Sequence, residues 1–200
     1  MSVITTAVQP RCLPLRHGLH RQQGFSLIEV SIVTAIVLLL AIIGIPAIGS
    51  YVVENKVPKV GEELARFILQ TKVNVPNGSS APYAEIDTPN FANLVRESSI
   101  FSVSGADATI KVLHGLGTDG EVTVGPAAAG AAFAITLSRV NNAACPAIAS
   151  VMQRVSDSIT VAPDGQSAAT VKDDATAYSA LTAESKCARG DVNTFVFTAS

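Results

Sequence analysis

From Val30 to Val53 the chain runs for 24 residues without a single charged side chain. Ile32, Val33, Ile36, Val37, Leu38, Leu39, Leu40, Ile42, Ile43 and Ile45 all fall inside that run. As a helix it would be about 36 Å long, against a hydrocarbon core of about 30 Å. The run is therefore expected to cross a membrane, and any globular domain must lie outside it. The 48% hydrophobic content of the whole chain owes much to this segment. The remainder is rich in Ser, Thr, Ala, Asp and Gly.

The flanking charges orient the span. Arg11, Arg16 and Arg21 precede it with no acidic residue among them. The positive-inside bias places residues 1–24 in the cytoplasm and exports the C-terminal part. A formal charge of −2 excludes a strongly basic nucleic-acid binder, and no direct nucleic-acid partner is expected. Of the three cysteines, Cys12 lies in the cytoplasmic segment, whereas Cys145 and Cys187 are exported to an oxidising compartment with no third thiol to compete. A Cys145–Cys187 disulfide is expected, closing a loop worth roughly 4 kcal/mol of chain entropy.

An ordinary secretory signal places its cleavage site after the apolar core. Here the basic segment leads straight into Gly24-Phe25-Ser26-Leu27-Ile28-Glu29-Val30, and only then does the apolar run begin. Gly followed by Phe, Glu four positions after the Phe, and an uninterrupted apolar stretch beyond resemble the processing site of type IV prepilins and related pseudopilins. The resemblance implies that a membrane prepilin peptidase cuts between Gly24 and Phe25, removes residues 1–24, and methylates the new amino group of Phe25. The mature chain would carry 11 basic and 16 acidic residues, a formal charge of −5.

Within that pattern Glu29 is the mechanistic residue. A lone carboxylate among Leu27, Ile28, Val30 and Ile32 is costly in a bilayer unless protonated or paired. In the family it resembles, its partner is the amino group of Phe25 on a neighbouring subunit, which exists only after cleavage. Such a pair in a dry bundle of helices would fix axial register. Farther along, Gly44, Pro46 and Gly49 weaken the helix, and a break at Pro46 is expected, as the family often shows.

Past the span, Val57, Val60, Leu64, Phe67 and Ile68 recur on one helical face, so the helix is expected to continue to about Gln70 with a kink at Pro58. Asn77-Gly78-Ser79-Ser80-Ala81-Pro82 ends it. A short helix over 91–97 follows. Strands are expected over 109–114, 121–125, 133–140, 158–162, 168–172 and 193–199, with a helix over 144–157 capped by Asn141 or Asn142. The fold class is α+β: a long N-terminal helix, half transmembrane and half amphipathic, packed on a mainly antiparallel sheet. The segments are a leader over 1–24, a transmembrane and assembly helix over 25–53, and an exported domain over 54–200.

The C-terminal part, over roughly 130–200, is similar to type IVb pilins of the toxin-coregulated and thin-pilus types. That resemblance rests on Cys145 at a helix start and Cys187 ahead of a terminal Phe195-Val196-Phe197 strand. It implies that residues 145–187 form a disulfide-tied, exposed D-region. The chain departs from many type IVb precursors in starting its mature sequence with Phe25, so the subclass stays open between type IVa and type IVb.

Other motifs carry less. Gly115-Leu116-Gly117-Thr118-Asp119-Gly120 spells a phosphate-loop pattern but leads into a strand, which makes it a hairpin turn. Arg189-Gly190-Asp191 spells a receptor-binding tripeptide, and Asn77-Gly78-Ser79 a glycosylation sequon better read as a turn. His17 and His20 leave with the leader, so His114 alone remains and no metal site is expected. No catalytic frame and no cofactor are indicated. The resemblance points to a pilus subunit, most simply the major one, held in the bacterial inner membrane with a periplasmic C-terminus and then polymerised with itself into an extracellular fibre. Its partners would be the prepilin peptidase, the inner-membrane assembly platform and minor pilins, and such fibres serve adhesion, aggregation, motility or conjugation. A minor pilin or type II secretion pseudopilin is the nearest alternative, and a membrane-anchored periplasmic enzyme or binding protein the remote one.

Overall fold

The structure is a computed structural model that describes residues 24–76 and 78–200. The leader with Cys12, and Asn77 of the sequon, lie outside the described residues. The chain divides into two compact units, one ending at Ile42 and the other spanning Ile43–Ser200.

Helix α1 is a single element of 47 residues, Leu27–Val73. Its apolar stretch is long and hydrophobic enough to cross a membrane, and none of that window is buried. Ser31 and Thr34 turn their hydroxyls back onto the carbonyls of Ile28 and Val30, each at 2.9 Å. Neither of these two hydroxyls is then left as a free donor facing hydrocarbon. Pro46, where a break is expected, falls within the span of α1. Pro58 likewise sits within the helix.

In the second unit α1 becomes one-sided. Val57, Val60, Leu64, Phe67 and Ile68, the five residues picked out by their spacing, are buried. The Phe67 ring meets Phe91 edge-on at 5.2 Å and Phe133 at 6.3 Å, joining the helix to its neighbours in the core. Each such side chain contributes about 1.5–3 kcal/mol on burial.

Seven strands make the sheet: β1 Ser102–Ser104, β2 Lys111–Leu113, β3 Glu121–Ala127, β4 Ala132–Asn141, β5 Ser158–Pro163, β6 Ala169–Lys172 and β7 Asp191–Ala199. Their order is β1, β2, β3, β4, β7, β5, β6, and every adjoining pair is antiparallel. Strict alternation puts one face in the core. Val124, Ile135, Phe197 and Ile159 form one cross-strand row, and Val122, Leu137, Phe195 and Val161 the next. The fold class expected from the sequence is the one observed.

Three short helices complete the unit. α2, Thr88–Val95, begins three residues before the expected 91, because Asp87 caps it and Pro89 fits its first turn. Asp87 accepts the Asn90 N–H at 3.1 Å and Asn90 Oδ1 accepts the Asp87 N–H at 2.8 Å, a reciprocal box. α3, Cys145–Met152, is shorter than the expected 144–157 and is capped by neither asparagine, since Ala144 holds the cap position. Asn141 Oδ1 accepts the Ala143 N–H ahead of the helix at 2.8 Å instead, and Lys172 donates its ammonium to the carbonyls of Gln153 and Ser156 just past the helix end. α1 and α3 meet closely at Gly61, where a Cβ would lie 2.5 Å from Val151 Cγ1. α4, Ala180–Ser185, and the three-residue β1 were not foreseen.

The Cys145–Cys187 bridge is present, with Cα atoms 6.3 Å apart, and ties the start of α3 to the segment after α4. Replacing both cysteines by serine is expected to lower the unfolding free energy by up to roughly 4 kcal/mol. The measurement is the urea midpoint of the detergent-solubilised chain with and without the bridge.

Candidate functional site

Gly24, Phe25 and Ser26 form a non-helical lead-in to α1, and Phe25 is four-fifths exposed. Among the described residues, no side chain lies within 4 Å of a Cβ placed on Gly24. Glu29 sits in the first turn of α1, where an acidic group complements the unpaired N–H groups of the helix end. Phe25, Glu29, Val30, Val33 and Thr34 line one shallow apolar hollow around that turn. Among the described residues Glu29 forms no ion pair. In the precursor the Phe25 nitrogen is an amide and carries no charge, so it cannot supply the counter-charge expected for Glu29.

In the second unit the disulfide-closed segment is held by polar contacts as well as by sulfur. Buried Asn193 accepts the Ala188 N–H at 2.7 Å and donates to the carbonyls of Val140 and Ala188 at 3.1 and 2.9 Å. Tyr178 donates its hydroxyl to the Pro146 carbonyl at 3.0 Å, tying the approach to α4 to α3. Gly190 donates to Asn142 Oδ1 at 3.0 Å. Asp191 accepts from the Thr118 N–H at 2.8 Å with one carboxylate oxygen and from Asn141 Nδ2 with the other. Burial alone would raise the Asp191 carboxyl, but bonds from Thr118 and Asn141 and the charge of Arg139 hold it below the usual range. The carboxylate of the Arg-Gly-Asp tripeptide is therefore an internal tie rather than a free receptor ligand.

The Gly115–Gly120 segment connects β2 to β3 as a turn and precedes no helix. Its glycines serve close approach: a Cβ on Gly117 would overlap the Arg139 carbonyl, and one on Gly120 the His114 ring. His114 is fully buried beneath it. Its Nδ1 accepts the Leu116 N–H at 2.9 Å and its Nε2 donates to the Ser138 carbonyl at 2.9 Å, a pattern that requires the neutral ring. Burial pushes its pKa down to about 4, against the opposing pull of the Ser138 carbonyl.

Comparison with known proteins bears on both ends of the chain. Residues 19–45 match the family described as the prokaryotic N-terminal methylation motif, and residues 117–200 match PilS N terminal. The first covers the Gly24–Phe25 junction, Glu29 and the head of α1. By these two matches the chain is similar to type IV pilins over its N-terminal segment and its C-terminal part. Among solved structures it is similar to a type IV b pilin from Salmonella typhi, at 23% identity over 70% of this chain and 94% of that one, with a TM-score of 0.48. It is also similar to TcpA, a type IV pilin from Vibrio cholerae El Tor biotype, at 17% identity over 74% and 99% of the two chains, with a TM-score of 0.43. No curated protein matches it.

In this pilin-like chain the sequence singled out Gly24, Phe25, Glu29, Pro46, Cys145 and Cys187, and the structure places the first three at the head of one helix and the last two in one bridge. Asp191, Asn141 and Asn193, which hold the C-terminal loops, were not recognised from sequence. Asn and Asp in a loop read as turn formers, as Asn141 is toward the Ala143 N–H, but the other partners of these three residues are 5 to 73 residues away. His114 supplies a pH test. An unfolded histidine takes a proton near pH 6.5, whereas this one does so only near 4. Its contribution is full above pH 6.5 and is lost as pH falls to about 4, by at most about 3 kcal/mol. His114→Asn should be less stable at pH 7 and show a shallower decline across that window, read by urea unfolding at stepped pH.

Proposed function

We propose that the chain is the major structural subunit of a type IV pilus. A prepilin peptidase cuts between Gly24 and Phe25 and methylates Phe25, and the mature chain polymerises through α1 into an extracellular fibre. The observation that carries this reading is the methylation-motif match over residues 19–45, set at the head of a helix apolar enough to cross a membrane. The freed amine of Phe25 becomes the counter-charge for Glu29 of a neighbouring copy. Cleavage and polymerisation are then chemically linked, because the pair cannot form in the precursor. Before assembly the chain is anchored in the inner membrane with its C-terminal unit in the periplasm, where an assembly platform and minor pilins engage it.

The disulfide-tied segment from Cys145 to Cys187 supports a pilin over a secretion pseudopilin. In the fibre that segment faces the surroundings and serves adhesion, aggregation, motility or conjugation. Pro46 remains a candidate point for local melting of α1 once it leaves the bilayer.

Mass analysis of the mature protein should find methylated Phe25 at the N-terminus, and a retained leader would sink the reading. Glu29→Ala should insert into the membrane and be cleaved, yet incorporate into sheared surface fibres at about a tenth of the wild-type level or less, as expected when a buried charge pair worth several kcal/mol cannot form. Normal incorporation of that variant would remove the pairing argument.

A further inference from the structure

The two sulfurs of the Cys145–Cys187 bridge stand in different surroundings. Cys145, the first residue of α3, is fully buried and belongs to the apolar core. Cys187 is half-buried and lines a groove of about 480 Å³. One wall of the groove is the β5–β6 hairpin, from Pro163 to Ala169, and the other runs from Ser185 to Ala188. Both walls are pinned. Gln166 donates its N–H to the Pro163 carbonyl at 2.9 Å, and the buried Asn193 amide holds both backbone groups of Ala188, at 2.7 and 2.9 Å. Lys186 is the one charged residue on the lining and forms no ion pair among the described residues.

We propose that Cys187 is the site of thiol–disulfide exchange on the folded chain, and that its groove admits a small anionic sulfur nucleophile of the thiolate class. Exchange requires the nucleophile to reach one sulfur, and access decides which. Cys145 is sealed in the core, so attack there needs the unit to open. Attack at Cys187 does not. The incoming thiolate bonds to Cys187 Sγ as the Cys187–Cys145 bond breaks. The electron pair leaves on Cys145 Sγ, which takes a proton from water, and Cys187 carries the incoming thiol as a mixed disulfide. A second thiolate attacking the sulfur of that thiol completes a two-electron reduction, releasing the disulfide of the two thiols and freeing Cys187. Closure of the bridge by an oxidised dithiol runs the same route in reverse, again through Cys187. Lys186 on the same lining draws a negatively charged nucleophile toward the groove.

Sulfite, an anionic sulfur nucleophile that leaves an S-sulfonate on the sulfur it attacks, tests the assignment on the full chain in detergent. Cys12 is first blocked with iodoacetamide. After sulfite, the protein is unfolded and the released thiol alkylated with N-ethylmaleimide. Peptide mass analysis should place the S-sulfonate on Cys187 and the maleimide on Cys145, in about tenfold excess or more over the opposite pattern. The same reaction in concentrated urea, where both sulfurs are reached, should lose that preference. Equal labelling of the two sulfurs in the folded chain, S-sulfonate chiefly on Cys145, or no reaction until urea is added overturns the assignment. So does a preference for Cys187 that survives in urea, because it would owe nothing to the fold.

Discussion

A continuous α-helix meets two different environments along its length, and the rest of the molecule is arranged around that demand. In hydrocarbon every backbone group of α1 must be satisfied within the helix, and any hydroxyl must fold back on its own backbone, as those of Ser31 and Thr34 do. Some twenty residues on, the same helix is amphipathic and is held by burying one face. Val57, Val60, Leu64, Phe67 and Ile68 form that face, and β3, β4, β5 and β7 present alternating large apolar residues to the same core. The sheet thus has one apolar face and one face of Thr, Ala, Ser and Gly. Thr123, Thr136, Val196 and Thr160 share a single outward row across four strands.

Much of this was legible from period alone. The change from all-apolar to one-sided spacing at Val57 marks where α1 passes from one environment to the other, and each of the five residues so identified is buried. Strands with clean alternation, such as Phe133, Ile135 and Leu137, were located to within a residue or two. Errors fall where a polar side chain with a distant partner decides the outcome. The end of α3 is met by Lys172, sixteen residues beyond Ser156, and no window of local sequence contains that pair. The site divides similarly: Gly24, Phe25 and Glu29 form a contiguous pattern with few other uses, whereas the ties made by Asp191 and Asn193 depend on the folded chain.

The polar ties also explain why the C-terminal loops can be rich in Ala, Ser, Thr and Gly without losing definition. Asn193 satisfies its buried amide completely, and Asp191 engages both carboxylate oxygens. Low hydrophobicity there is offset by directional bonds and by one covalent cross-link. An exposed surface can then vary in sequence between those anchors while its backbone path is preserved.

The place of β7 in the sheet order has a consequence for biosynthesis. It lies between β4 and β5, yet it follows every other strand in the chain. Until Asp191–Ala199 has left the ribosome, the sheet exists only as two separate fragments, β1 through β4 and the β5–β6 hairpin, each with an open edge facing the other. The apolar stretch of α1, long enough to cross a membrane, will by then have emerged. Emergence of that stretch and closure of the sheet are therefore ordered in time by topology, and the nascent chain carries unpaired strand edges until β7 arrives.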